Sequence, residues 1–187
     1  MTVEQMRLGR FEFLAMNNPL RRWIQKNVEF RIFKQHLAMH DIDLTGKAIL
    51  DAGCGSGHCT ELIAREFTPS RLVAFDLMPE QIALARERGL DANIFVGDMT
   101  DVDLPDGAFD AVFIFGVLHH IPEWRKALIE MARVLKPGGV LLVEEPKVRL
   151  DWPEFEQAIR VAGFEILEKS KVMIEYFQSY LCRRECT

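Results

Sequence analysis

Cysteine is scarce: four residues, at positions 54, 59, 182 and 186, with neither the spacing of a secreted disulfide framework nor a Cys-x-x-Cys metal clip. A reducing, cytoplasmic setting and a site without metal are expected. Long apolar runs are missing too, and none approaches the ~20 residues that a membrane-spanning helix needs. The N-terminus carries Glu4 and no apolar stretch of the signal-peptide kind. There is no basic excess. Against 28 Asp and Glu stand 23 Lys and Arg, a net charge of −5, which excludes a broad electrostatic footprint for nucleic acid and leaves a small molecule as the expected partner. Oligomeric state is not legible from these counts. No internal repeat or low-complexity linker divides the chain. With 49% hydrophobic content, its 187 residues suit one sizeable core, so a single domain, 1–187, is expected.

The densest information lies in residues 48–57, Ala-Ile-Leu-Asp-Ala-Gly-Cys-Gly-Ser-Gly. An apolar run of this kind suits a strand buried on both faces, and glycines at its carboxyl end let the backbone turn sharply against a ligand. A dinucleotide fingerprint would need a third small residue where His58 stands, counting from Gly53. Asp51 would also set an anion near a pyrophosphate. The acidic residue suits a cationic ligand instead, and S-adenosylmethionine, with a sulfonium and an ammonium at one end and an adenosine at the other, fits.

The next two runs agree. Leu72-Val73-Ala74-Phe75 ends in Asp76, 25 residues after Asp51, where a carboxylate can accept both ribose hydroxyls. Ala92-Asn93-Ile94-Phe95-Val96-Gly97 ends in Asp98-Met99, an acceptor for an exocyclic amine beside an apolar side chain for a ring. Three consecutive strands thus end in an acidic residue near one edge.

Taken with Leu104-Pro105-Asp106-Gly107-Ala108-Phe109-Asp110-Ala111-Val112, Leu118-His119-His120 and Leu135-Lys136-Pro137-Gly138-Gly139, these motifs run in order over roughly residues 46–165. In that order the chain resembles the class I S-adenosylmethionine-dependent methyltransferases, within them the type 11 group similar to the ubiquinone and menaquinone C-methyltransferases. The resemblance implies a doubly wound, mostly parallel seven-stranded α/β sheet, Rossmann-like, with helices on both faces and a closing antiparallel hairpin. It implies S-adenosylmethionine as cofactor, held by Asp51 through water at its ammonium end, by Gly53, Gly55 and Gly57, by Asp76, and by Asp98 with Met99 and Leu77 around the adenine. A backbone carbonyl at Phe115 is expected to accept from the ammonium group. The implied activity is methyl transfer to a small organic, quinone- or lipid-like acceptor. Two other classes stay open: a non-catalytic cofactor-binding activator subunit and a nicotinamide oxidoreductase, which His58 disfavours.

Strands are expected near 48–52, 71–76, 93–97, 109–115 and 140–145. Between the last two, Trp124, Leu128, Met131, Ala132 and Leu135 recur at helical spacing. Asp151 with Glu154 reads as a helix start and Gly163 as its stop, before a hairpin of 164–167 with 172–181. Upstream, Asn18-Pro19 and the spacing of Leu20, Ile24, Val28 and Ile32 predict a helix from about 19 to 39. Residues 1–45 read as a helical cap or lid on a core of 46–187, with Phe11, Phe13 and Met16 as an apolar flap on the acceptor side. Plain cover for one sheet face is the competing role.

Methyl transfer from a sulfonium is an in-line displacement, so holding the two reactants in line is the main requirement. A base is needed only where the acceptor must lose a proton. The base candidates are His119 and His120, after the fourth strand, and Glu144 and Glu145, ending the fifth; His120 and Glu145 also stand as substrate residues. Each has a second role open to it. The histidines can order their loop, the glutamates can cap or face solvent, and Cys54 serves as a small packable residue.

Overall fold

The computed structural model describes residue 23 and residues 25–147, 150–172 and 176–186. Seven strands form one sheet: β1 Ala48–Ala52, β2 Arg71–Asp76, β3 Asn93–Val96, β4 Phe109–Phe115, β5 Leu135–Pro146, β6 Phe164–Val172 and β7 Phe177–Arg184. Among the described residues the α-helical elements are α1 Phe30–Met39, α2 His58–Phe67, α3 Pro79–Arg86, α4 Trp124–Val134 and α5 Trp152–Val161. Strand order is β3-β2-β1-β4-β5-β7-β6. The first five strands are parallel neighbours, while β7 runs antiparallel between β5 and β6.

Side-chain alternation sorts the helices onto two faces. Ala111, Phe113 and Phe115 of β4 turn to the side of α1 and α2, where they meet Phe30, Phe33, Ile63 and Phe67. Val112 and Ile114 turn the other way, towards Leu128 and Met131 of α4 and Phe155 and Ile159 of α5. Burial on both faces is why these strands read as continuous apolar runs. Helix α3 covers Ala74 and Ile94 with Ile82 and Ala85. From its end, Arg86 donates twice to the Ile94 carbonyl at 2.9 and 2.7 Å, which occupies part of the edge strand β3.

Strand β1 is where the winding reverses: β2 and β3 lie to one side of it, and the chain then crosses to β4 on the other. In open parallel sheets the crevice outside the carboxyl ends at this crossing is the ligand site. Gly53 shows how tight it is, since a Cβ there would lie 2.7 Å from Val117 Cγ2.

Boundaries mostly fall where the sequence put them. Asp151 Oδ1 accepts from Glu154 N at 3.0 Å, and Gly163, with φ of 88°, follows the helix end. Three differences have local causes. Strand β5 begins at Leu135, paired with Phe109, before residues 136–139 bulge out and pairing resumes at Ala111 and Val140. The first hairpin strand is longer than expected and the second starts and ends later, at Phe177 and Arg184, because pairing extends from Phe164–Arg184 to Val172–Phe177 and so takes Val172 into the first strand. The expected N-terminal helix is interrupted at residues Gln25–Glu29, which form a wider π turn ahead of Phe30–Met39. Residues 1–22 and residue 24 lie outside the described residues.

Helix α1 is cover for the sheet, since Phe30, Phe33 and Leu37 are buried on it. Its direction follows from two contacts. His36 Nε2 lies 2.8 Å from Ser170 Oγ, and His40 Nε2 lies 3.8 Å from Glu168 Oε2. Ser170 is level with Ser179 and Glu144, and Glu168 with Leu181 and Leu142. The start of α1 therefore points to the sheet's carboxyl edge.

Phe33 is fully buried, 4.9 Å from the Phe115 ring and 5.9 Å from the Phe113 ring, centroid to centroid. Phe33→Ala is expected to lower the unfolding free energy by about 3–5 kcal/mol. Urea denaturation checks this, and a loss under about 1 kcal/mol would show that α1 is not part of the core.

Candidate cofactor and acceptor site

Asp76 is the centre of the carboxyl edge. Its Oδ2 accepts from Gly55 N and its Oδ1 from Met78 N, both at 2.9 Å. One carboxylate thus joins the glycine loop to the start of α3. Burial pushes its pKa up, and the two backbone donors work against that shift. Each oxygen keeps a second lone pair for a further donor, as two ribose hydroxyls require.

Gly53, Gly55 and Gly57 all have positive φ, at 76°, 52° and 77°. Gly55 matters most for a ligand, because a Cβ built on it would meet nothing within 4 Å; its missing side chain leaves a cradle. Gly57 serves packing: a Cβ there would come 3.0 Å from Ala85 Cβ and 3.2 Å from Arg88 Cδ. His58 follows as the first residue of α2.

Asp51 is buried, and its Oδ2 accepts from Thr60 Oγ1 at 2.6 Å. Burial raises its pKa to about 7; the Thr60 hydroxyl opposes the rise and the nearby Asp76 charge adds to it. A buried carboxylate whose pKa is raised further by a second carboxylate nearby makes a place for a cation. Asp98 Oδ1 accepts from both Thr100 N and Thr100 Oγ1 at 2.8 Å, a closed local turn that leaves Oδ2 for other donors. Met99 packs in the core beside Phe75 and Leu118, and Leu77 is half-buried. Burial holds the Cys54 thiol far above its ordinary pKa, so it stays protonated.

The fourth strand brings the histidines to the same edge. Leu118–His120 is a 3₁₀ turn held by Glu145, whose Oε1 accepts from Val117 N at 2.9 Å and Leu118 N at 2.7 Å. Its Oε2 accepts from His119 N at 3.3 Å and lies 2.7 Å from His119 Nδ1. Glu145 is wholly buried on the α4 face with Val143. Glu145, expected as a substrate residue or base, thus has its oxygens engaged by the turn and the imidazole. The His120 ring sits 3.9 Å from that of His119. Glu144 is buried too, one residue earlier and so on the opposite, α1 face. The Phe115 ring points into the core against Phe33, so only its main chain can face the site. Phe11, Phe13 and Met16 lie outside the described residues.

Thr60 and Arg88 were not legible as site residues. Arg88 Nε donates to Ser56 O across 32 positions of sequence, and no local pattern marks such a partner. Among the described residues, no helix is long and apolar enough to cross a membrane, and no cluster of three or more His, Cys, Asp or Glu is placed to hold a metal ion.

Residues 50–143, half of the chain, match the family described as the methyltransferase domain. A fatty-acid O-methyltransferase of Mycolicibacterium smegmatis is 36% identical over 169 residues, 89% of this chain and 61% of that protein. A ubiquinone biosynthesis O-methyltransferase of Xanthomonas oryzae pv. oryzae is 37% identical over 54% of this chain and 44% of that protein. The chain thus spans about half the length of these relatives. A solved S-adenosylmethionine-dependent methyltransferase from Aquifex aeolicus shares the fold, with a TM-score of 0.78 at 19% identity over 95% of this chain and 99% of that one. The chain belongs to the methyltransferase domain family, of the class I S-adenosylmethionine-dependent type, whose cofactor is S-adenosylmethionine. Neither the activator-subunit nor the oxidoreductase alternative is favoured by these relatives. The residues present fit this cofactor: an open cradle at Gly55, carboxylates ending three adjacent strands, and an environment at Asp51 and Asp76 that a positive charge relieves.

The Asp51 pKa yields a test. Below pH 7 the folded protein holds a neutral Asp51, whereas the unfolded chain ionises near the ordinary value of 3.8. The group therefore costs stability that is absent below about pH 4, grows through the interval and is complete above pH 7. Asp51→Asn is expected to gain thermal stability over the wild type at pH 8 and to gain nothing at pH 4. Equal differences at the two pH values would place the Asp51 pKa in the ordinary range.

Proposed function

We propose that the chain moves a methyl group from the sulfonium of S-adenosylmethionine to a hydroxyl or related group of a small organic, quinone- or lipid-like acceptor. The observation that carries this is the row of acidic strand ends, Asp98, Asp76 and Asp51, on adjacent strands around an open glycine cradle. Neighbouring strands lie ~4.8 Å apart, so an elongated ligand laid across them meets the three in turn. Adenine falls to Asp98 with Met99 and Leu77, ribose to Asp76, and the cationic tail to Asp51, the glycines and the Phe115 main chain. The bound cofactor supplies an electrophilic methyl group on a sulfonium. The names of the two relatives, a fatty-acid O-methyltransferase and a ubiquinone biosynthesis O-methyltransferase, support an apolar organic acceptor.

His119 is the proposed base. A carboxylate oxygen only accepts, so Nδ1 carries the proton to Glu145, and Nε2 of the neutral ring is left as a proton acceptor. Glu145 fixes both the tautomer and the turn that bears it. His120 stacks on His119 and takes the acceptor side. The start of α1 at the carboxyl edge supports the segment with Phe11, Phe13 and Met16 as part of the acceptor pocket, and residues 1–45 as a cap joined to the core of 46–187.

Calorimetry with S-adenosylmethionine and S-adenosylhomocysteine should show micromolar binding, about −7 to −9 kcal/mol. Incubation with methyl-labelled cofactor and a panel of long-chain fatty acids, phenols and quinols, read by mass spectrometry, should label one class. No heat with either cofactor form would sink the reading.

For a phenol or quinol acceptor, His119→Gln is expected to lower kcat about 100-fold while cofactor affinity stays within a few-fold. An unchanged kcat would assign His119 to ordering its loop. Deleting residues 1–17 should leave cofactor binding within a few-fold and abolish labelling of the acceptor, and full labelling by the truncated chain would make the segment plain cover.

A further inference from the structure

Helix α3 grips the glycine loop at both ends. At its start, Met78 N and Gly55 N share the Asp76 carboxylate. At its end, Arg88 Nε donates to Ser56 O at 2.5 Å and Nη1 donates to Glu61 Oε2 at 2.6 Å. Ser56 lies between the two glycines whose conformations open the cradle and pack the loop on α3, and Glu61 stands one turn into α2. The Arg88 side chain is 18% exposed and Glu61 21%, so the pair is largely shielded from water. A charge-assisted bond in such a place is stronger than a surface pair. Its geometry is also directional, because the guanidinium holds two acceptors on different elements at once.

We infer that Arg88 is a positioning residue for the cofactor: by holding Ser56 O and Glu61 together it sets the glycine loop in the shape that takes the cofactor's amino-acid tail. This rests on the cofactor layout proposed above. Gly57 supports it independently, since a side chain there would strike Ala85 and the Arg88 stem, so loop and helix end are fitted to each other. Arg88 is distant in sequence from Asp51 and the glycines, and it acts on the ligand only through the loop. The adenosine end rests instead on Asp76 and Asp98, which Arg88 does not hold.

The test separates the two ends of the ligand. Calorimetry on the full chain compares S-adenosylhomocysteine, which carries the tail, with 5′-methylthioadenosine, which lacks it. In Arg88→Met the affinity for S-adenosylhomocysteine should fall about tenfold and that for methylthioadenosine less than threefold. Arg88→Lys, with one point charge in place of the fork, should recover only part of the loss. If Arg88→Met does not fold, Glu61→Gln, which keeps the Ser56 contact and weakens the ionic half, should give a two- to fourfold loss on the tailed ligand alone. Unchanged binding of S-adenosylhomocysteine overturns the inference. So does an equal loss on both ligands, which is what general loosening produces. A wild-type chain that binds neither ligand would instead overturn the cofactor layout, and this inference with it.

Discussion

The Asp76 carboxylate is the joint on which the site depends. It ends β2, half-buried, and takes one backbone N–H from the glycine loop and one from the start of α3. A carboxylate in such surroundings is costly unless hydrogen-bonded, and two backbone donors offset part of that cost. The remaining lone pairs are the ones a ribose can use. In the proposed layout the feature that shapes the loop is also the feature that recognises the ligand. With Arg88 closing the other end of α3, the loop has little freedom to collapse into its own cradle.

Electrostatics give the edge its preference. The Asp76 charge adds to the rise in the Asp51 pKa, and burial raises both pKa values. A neutral or anionic ligand would leave this strain in place, whereas a sulfonium and an ammonium relieve it. The same low-dielectric surroundings keep the Cys54 thiol protonated, which sets it among the packing residues and apart from the chemistry.

The acceptor side is organised by a second buried carboxylate. Glu145 holds three backbone N–H groups and the His119 ring, so the turn after β4 and the imidazole orientation are set together. Glu144 and Glu145 are adjacent in sequence but face opposite sides of the sheet, because side chains alternate along a strand. That alternation assigns Glu145 to the histidine turn.

The sequence by itself determined the parallel strands, the glycine loop and the acidic strand ends. Each is a local pattern: an apolar run, a turn residue and a carboxylate within ten positions. Asp151 as a helix cap and Gly163 as a stop were legible for the same reason. Only the tertiary structure decided the partners of those residues. The Thr60 hydroxyl on Asp51, the Arg88 guanidinium on Ser56 O and the Glu145 carboxylate under His119 join positions 9, 32 and 26 apart, across different elements. Hydrogen bonds of this kind leave no periodicity, because they form between side chains that the fold brings together only after the sheet has set its register. The surroundings of α1 and of Glu145 were decided in the same way, by which face of the sheet each came to occupy.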